Sequence, residues 1–326
     1  MESCIATKRI SITEVLPIAP RGVGKFSSSV TVSTRPLIVA VANAESRGIN
    51  SSGGNSPLKQ SSPEGRFLSL VLQNQRNLFQ FSVSEQLGEL VSNRDGAAPP
   101  KKQSSESMQS LLYRRILEVK ENERQIAVED VMYMSIVHKF SEIEVSMITN
   151  LSECISDNLR GIWRPNCREL DSVHNLELQD IIRKHVTIIL HAMDGVTTAK
   201  FDRLHIGRTY ASTIMYGYFL KSAYSTWQLN SSPPGKLSSY IKEFISSSEQ
   251  KCAKLRSKEA RNVVEKHTWA LFGNEKTGGY DGDSDIVFAF SGLERLMLEA
   301  IAFGAFLWDV EKSVDLVYGL RANNYA

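Results

Sequence analysis

The sequence predicts an all-α protein built from two tandem, related helical units that follow a disordered N-terminal segment. Apolar residues recur at helical spacing through most of the 326-residue chain after that segment. No alternation of apolar and polar residues is long enough to build a sheet, so only short β pieces are expected, near residues 196–198 and 286–290. A helical stretch at residues 202–221 returns in altered form near the C-terminus, and this return predicts the tandem arrangement.

The repeat is visible when the chain is compared with itself at a shift of 87 residues. Tyr216 then faces Phe303, and the identical pairs are Arg208 and Arg295, Ile214 and Ile301, Gly217 and Gly304, Phe219 and Phe306, and Leu220 and Leu307. Glycine costs a helix about 1 kcal/mol relative to alanine, so the shared glycine predicts close packing between the two copies. We expect a first unit at residues 66–230, carrying a helical insertion, and a second at residues 236–326.

Residues 1–43 have the composition of a chloroplast transit peptide. Serine and threonine are abundant, five basic residues stand against two acidic ones, and no continuous apolar segment follows a basic start. Hydroxyl residues outnumber the arginines, which favours a plastid over a mitochondrial destination. Residues 44–65 are rich in Ser, Gly, Asn and Pro and predict a disordered linker, so order is expected to begin near Phe67.

Two short helices and a flexible break are expected to open the first unit. Apolar residues between Phe67 and Phe79 predict an amphipathic helix. Ser82, with Glu85 three residues later, forms a capping box that predicts the start of a second helix. Residues 93–106 contain Asn-Arg-Asp-Gly and a proline pair, which predict a flexible break.

A long helical region follows the break. Ser141 and Glu144 form another capping box, which predicts a helix over residues 145–159. A further helix is expected over residues 176–193, and Asp202 is expected to cap the helix after it. The long region starts with apolar residues at helical spacing and charges on the opposite face: Leu111, Leu112, Ile116 and Val119.

The second unit is expected to contain two well-marked helices. Ser257 has the position of an N-cap, and Gly273 has that of a helix stop. Ser291 and Glu294 form a capping box for the last long helix, which is expected to reach about Tyr318.

The charge balance excludes binding to nucleic acid through bulk charge. Lysine and arginine total 38 against 36 aspartates and glutamates, a formal net charge of +2. The transit-like segment carries the excess of basic residues, so the remaining body is near neutral. Proteins that bind nucleic acid mainly through phosphate contacts need a strongly basic surface.

No motif in the sequence indicates a metal, a cofactor or a catalytic centre, so we expect no enzyme. Cys4, Cys154, Cys167 and Cys252 have neither metal-ligand spacing nor the pattern of a disulfide framework. The six histidines include no pair at helical metal-site spacing, and no Gly-x-Ser-x-Gly motif occurs. The apolar run at residues 296–308 is shorter than the ~20 residues that a membrane-spanning helix needs.

The stretch at residues 202–221 holds the candidate ligand-binding residues, for which two interpretations are open. In the first, the phenols are buried and the helix packs as part of the core. In the second, the cations near the helix N-terminus and the phenols form a polar pocket for an anionic small molecule. The candidates are Arg203, His205, Arg208, Tyr210 and Tyr218. The second copy lacks counterparts of the histidine and of both tyrosines, so any specific function is expected at those positions.

Three motifs carry a resemblance to a known family. Residues 203–208 (Arg-Leu-His-Ile-Gly-Arg) lead into 216–220 (Tyr-Gly-Tyr-Phe-Leu), and residues 256–260 and 267–273 follow later in the chain. Together they resemble the plant UV-B-induced chloroplast proteins, a domain-of-unknown-function family shared with cyanobacteria. The resemblance covers about residues 66–320. It implies a stromal plastid protein linked to light or stress response, and it supplies no catalytic residue.

The sequence therefore predicts a non-catalytic helical interaction or scaffold protein of the chloroplast stroma, with protein partners in the plastid. Peripheral attachment to thylakoids through an exposed helix face is a further option. The alternative hypothesis is a small-molecule-binding protein or enzyme that uses the polar pocket around Arg203, His205 and Arg208.

Overall fold

The computed structural model describes residues 56–96, 108–151, 166–191, 198–229, 237, 239–241, 255–273 and 286–320. Helices dominate these residues, so the predicted all-α class is confirmed. The helices are α1 (Pro63–Asn74), α2 (Phe79–Asp95), α3 (Met108–Glu142), α4 (Asn166–Ser172), α5 (Leu176–His191), α6 (Arg203–Leu229), α7 (Lys258–Phe272) and α8 (Phe290–Tyr318). The predicted transit peptide and most of the predicted linker lie outside the described residues.

A two-stranded antiparallel ribbon is the sheet structure within the described ranges. Its strands are β1 (Thr198–Phe201) and β2 (Ile286–Ala289), close to the two β pieces predicted. Lys200 pairs with Val287, and these two residues are themselves 87 positions apart. One of the four residue pairs of the ribbon thus has the separation at which the sequence was compared with itself.

Helices α6 and α8, which follow the two strands, cross at the shared glycines. A Cβ placed on Gly217 would lie 2.1 Å from the carbonyl oxygen of Ile301, and one placed on Gly304 would lie 2.0 Å from that of Ile214. Ile214 and Ile301 are also 87 residues apart, so the contact is reciprocal. The close approach predicted for the shared glycine is confirmed, because only glycine leaves room for the facing backbone.

The second half of α3 passes through the same core and joins it to α1, α7 and α8. Tyr133 and Phe140 of this half are at most 1% exposed, and Phe140 packs edge-on against Phe306 of α8. The core is one cluster of buried apolar residues with members from α1, α2, α3, α5, α6, α7 and α8. The described residues of both predicted units therefore share a single core.

The N-terminal boundary of the fold lies earlier than predicted. Helix α1 begins at Pro63, inside the range assigned to a disordered linker, and Ser62 is its N-cap. The backbone N–H groups of Ser61 and Ser62 each donate to Asp130 Oδ2 at 2.7 Å. A buried carboxylate on α3 thus holds a segment whose composition alone indicates disorder. The predicted break at 93–106 starts too early, since α2 reaches Asp95, and residues 97–107 lie outside the described ranges.

Two of the predicted helix starts are wrong because each helix begins before the serine that was expected to cap it. Ser82 lies inside α2, which starts at Phe79, where the buried ring stacks on His138 with centroids 4.4 Å apart. Ser291 lies inside α8, which follows β2 directly with Ala289 at its N-cap. By contrast, Ser257 caps α7 as predicted, accepting from the Ala260 N–H at 3.1 Å.

The capping box at Ser141 marks the end of a helix, so this prediction is also wrong. Ser141 lies in the last turn of α3, and its hydroxyl donates to the carbonyl of His138 at 2.6 Å. Glu144 takes a left-handed backbone with φ of 57°, and the Val145 N–H donates back to the carbonyl of Phe140 at 3.1 Å. Residues 145–150 are not helical, and residues 152–159 of the predicted helix lie outside the described ranges.

The glycine crossing makes a direct prediction about stability. Gly304→Ala should lower the free energy of unfolding by about 1–3 kcal/mol or more, because its methyl group would force the backbones of α6 and α8 apart. Gly88→Ala is the matched control, since a Cβ there meets no atom within 4 Å, and it should stabilise the protein by ~0.5–1 kcal/mol. Urea denaturation measures both variants, and equal midpoints would contradict the crossing.

Candidate functional site

The five candidate residues of the sequence analysis do not converge on one place. His205 and Arg208 lie on the exposed side of α6, whereas Tyr210 and Tyr218 are buried. Arg203 is partly buried, and its Nε has no hydrogen-bond partner among the described residues. The structure thus separates the exposed cation and histidine from the two phenols, and ligand binding at these residues stays a prediction.

Asp202 caps α6 in the predicted way. Its carboxylate accepts from the N–H of Leu204 at 3.3 Å and from the N–H of His205 at 3.0 Å. Two of the N–H groups that an anion would need at this helix N-terminus are therefore already satisfied by the capping carboxylate.

Tyr210 belongs to a buried cluster centred on His267 of α7. The Tyr210 hydroxyl lies 2.9 Å from His267 Nε2, and the Tyr133 hydroxyl lies 3.5 Å from His267 Nδ1. The imidazole also stacks on Phe303 of α8 with centroids 4.3 Å apart. Both ring nitrogens face phenols, so whichever tautomer is present, one nitrogen donates and the other accepts. The cluster joins α3, α6 and α7 by polar contacts and α8 by the ring stack on Phe303.

Burial sets the protonation state of this cluster. Desolvation lowers the pKa of His267 to about 3 and raises the pKa of Tyr133 above its ordinary value. At neutral pH the imidazole and the phenol are therefore uncharged. A neutral, fully enclosed histidine whose two nitrogens both face protein groups is a structural element, since a general base must reach a substrate.

Tyr218 belongs to a second buried cluster, around Glu311 of α8. Its hydroxyl donates to Glu311 Oε2, while the N–H and hydroxyl of Ser257 donate to Glu311 Oε1 at 2.8 and 2.5 Å. Burial and the adjacent Glu311 carboxylate raise the pKa of Tyr218 above its ordinary value. The carboxylate thus holds the N-cap of α7 and a phenol of α6 together at 1% exposure.

The N-cap of α1 is built in the same manner as that of α7. The Ser62 N–H and hydroxyl donate to Asp130 Oδ2 at 2.7 and 2.9 Å, as those of Ser257 donate to Glu311. The two segments, residues 62–66 and 257–261, read Ser-Pro-Glu-Gly-Arg and Ser-Lys-Glu-Ala-Arg. Sequence reasoning missed this similarity, although the shared Ser-x-Glu-x-Arg pattern was a signal that could have revealed it.

Two more buried carboxylates are also occupied. Glu299 accepts from the Ile148 N–H at 3.1 Å and pairs with Arg295 at 3.2 Å. Glu129 pairs with Lys266 of α7 at 2.6 Å. No group of three or more residues that could hold a metal ion occurs among the described residues. The interior polar groups described so far connect helices to one another.

The first part of α3 stands out among the described helices because six of its apolar side chains face solvent. We call residues 108–120 the α3 arm. It precedes Glu121 and Arg124, whose side chains are 31% and 14% exposed, and within the arm Leu117 is partly buried. Its exposed apolar residues are Met108 (84%), Leu111 (60%), Leu112 (62%), Tyr113 (42%), Ile116 (43%) and Val119 (44%).

The arm is also basic. It contains Arg114, Arg115 and Lys120 against the single acid Glu118. Arg115 Nη1 and Glu118 Oε2 are 3.0 Å apart, but both side chains are more than half exposed. Such a surface ion pair contributes little to stability. Sequence reasoning found the apolar spacing of the arm and missed its exposure, because spacing does not tell what covers a helix face.

These features define a helical protein whose described interior is used for packing and whose α3 arm carries six of the eighteen large apolar side chains that are exposed in the described residues. None of the helices in the described ranges is long and apolar enough to cross a membrane.

Comparisons with known proteins identify the family of this chain. A family model described as a protein of unknown function, DUF760, matches residues 111–232, which include the α3 arm from Leu111 onward and continue through α6. The chain is similar to a UV-B-induced, chloroplastic protein of Arabidopsis thaliana, with 32% identity over 363 residues, 91% of this chain and 86% of the relative. No solved structure matches the chain significantly. The chain therefore belongs to the family of plant UV-B-induced chloroplast proteins.

The buried histidines predict a loss of stability in acid. Desolvation lowers the pKa of His174 and His185 to about 4, and that of His267 to about 3, from a model-peptide value of 6.5. Between these pKa values and 6.5, the histidines are therefore protonated in the unfolded chain and neutral in the folded protein. The stability contributed by the neutral histidines is present above about pH 6.5 and is lost as the pH falls toward 4, by about 1.4 kcal/mol per pH unit for each histidine.

Urea denaturation between pH 7 and pH 4 tests this dependence. His185→Phe, which keeps a ring against Tyr216 at the observed 3.7 Å stack, should reduce the slope by about one proton. His205→Phe on the exposed side of α6 is the matched control and should leave the slope unchanged. Equal slopes for His185→Phe and the unmodified protein would contradict the assignment.

Proposed function

We propose that this chain is a non-catalytic plastid protein of the UV-B response that acts by binding a partner protein through the α3 arm. The observation that carries the proposal is the exposed apolar face of the arm, on which five apolar side chains are between 43% and 84% exposed: Met108, Leu111, Leu112, Ile116 and Val119. Contiguous exposed apolar surface of this kind is typical of interaction sites.

The buried clusters support a non-catalytic role. The described carboxylates inside the body cap helices or pair with cations, and His267 faces two phenols. These groups are engaged in holding α1, α3, α6, α7 and α8 together. In such a protein the exposed arm is the element that is free to act on another molecule.

The cellular setting comes from the transit-like composition of residues 1–43 and from the relative whose name places it in the chloroplast. We propose the stroma as its location within the chloroplast. The scaffold body is a tandem of two related β-α units. The shift of 87 residues shared by the strand pair and the glycine contact supports this arrangement.

Capture of partners from a soluble plastid extract tests the proposal. The double substitution Leu112→Glu and Ile116→Glu should reduce the recovery of specifically bound protein at least about tenfold, because it places two carboxylates on the apolar face. Glutamate is a good helix former and both positions are exposed, so the melting temperature should stay within about 2 °C.

Ile188→Glu on α5 is the matched control, since Ile188 is 68% exposed and lies outside the arm. It should leave the recovery unchanged. Equal recovery by the arm variant and the unmodified protein would remove the basis of the proposal. Recovery of lipid vesicles instead of protein would assign the arm to a membrane surface.

A further inference from the structure

We infer that the partner of the α3 arm is an acidic amphipathic segment of another protein, whose carboxylates meet Arg114, Arg115 and Lys120. This inference rests on the proposed function and adds the chemistry of the partner. It is drawn from the position of the charges on the arm relative to its apolar face.

The apolar face of the arm contains a charge near its centre. At 100° per residue, Leu111 and Ile116 mark the two edges of an arc of about 140° around the helix. Met108, Leu112 and Val119 lie between these edges. Arg115 falls within this arc, between Leu111 and Met108. Glu118 lies about 20° outside the Leu111 edge of the arc, Lys120 about 40° outside the Ile116 edge, and Arg114 about 60° beyond the Leu111 edge. A binding partner that covers the apolar face must therefore also cover the guanidinium of Arg115.

The guanidinium is available for a new partner. Among the described residues Arg115 pairs with Glu118, at 3.0 Å, and the Arg115 side chain is 74% exposed. An exposed pair of this type is worth ~0–1 kcal/mol and exchanges readily. A carboxylate brought in by a partner would gain more, because the two groups would be desolvated together and could pair in a bidentate manner.

A second copy of this chain is a poor partner for the arm, because it would bring arginines of the two arms close together. Residues 108–119 have their midpoint between Tyr113 and Arg114, and a two-fold axis through it would set the Arg115 residues of the two copies only about 4.5 Å apart along the helix axes. A parallel pairing would place Arg115 against Arg115. Either arrangement sets like charges opposite one another in a contact that excludes water, which is destabilising.

A lipid surface is also a poor occupant. A helix that lies in a bilayer interface inserts the centre of its apolar face most deeply. On the arm that position is close to Arg115, and a charged side chain in the hydrocarbon region costs a few kcal/mol. A protein groove or helix can present apolar side chains and a carboxylate in one surface, which suits the observed pattern of the arm.

Site-specific photo-crosslinking of the full chain tests the inference. A photoreactive amino acid is placed at Leu111, which is 60% exposed on the arm, and at Ile188 as the control position. Each protein is irradiated in soluble plastid extract, and the crosslinked segments are sequenced by mass spectrometry. We expect the Leu111 probe to capture a segment with apolar residues at helical spacing and a net negative charge, and the Ile188 probe to capture no such segment.

Charge substitutions at Arg115 separate this inference from the proposed function. Arg115→Glu should lower the crosslink yield at least about tenfold, whereas Arg115→Lys should keep it within about threefold. If Leu112→Glu with Ile116→Glu abolishes capture but Arg115→Glu does not, the arm binds a partner whose charge is irrelevant, and the inference is wrong. Crosslinks to a second copy, to lipid or to a basic segment would also overturn it, and the absence of any crosslink would overturn both proposals.

Discussion

The contact on which the rest of the structure depends is the reciprocal crossing of α6 and α8 at Gly217 and Gly304. Each glycine admits the backbone of the other helix to a distance at which any side chain would collide with a carbonyl oxygen. This approach brings Phe303 beside His267 and places Tyr218 within reach of Glu311. The polar clusters that bind α3 and α7 to the pair are therefore consequences of the crossing, since they form only where the two helices are this close.

The interior polar groups show how the fold tolerates so many buried ionisable side chains. The carboxylates of Glu311 and Asp130 accept hydrogen bonds from a serine N-cap in place of the water that they lose on burial. Burial lowers the pKa of His267 so far that its ring stays neutral. Because these groups are engaged, they offer no ready site for a substrate. We therefore assign the function to the surface, where the α3 arm presents its apolar face with Arg115 near the centre.

The sequence predicted the parts of the fold that follow from local chemistry. Helix class, the caps at Asp202 and Ser257, and the need for glycine at the crossing all depend on neighbouring residues or on one conformational cost. It failed where distant residues decide: Asp130 orders a segment with the composition of a linker, and the buried Phe79 starts α2 ahead of the Ser82 box. The arm was missed as a binding surface because the same apolar spacing describes a buried and an exposed helix face.

Amide hydrogen exchange of the full chain is the most direct test of the claim that the crossing of α6 and α8 is rigid whereas the α3 arm is available to a partner. The account predicts that residues 214–220 and 299–307 exchange slowest, with protection that approaches the global free energy of unfolding. It predicts that residues 108–120 exchange fastest among the described helices and become protected when the captured partner is added. The account would be contradicted by an arm that is as slow to exchange as the crossing, or by partner-induced protection that is confined to other helices.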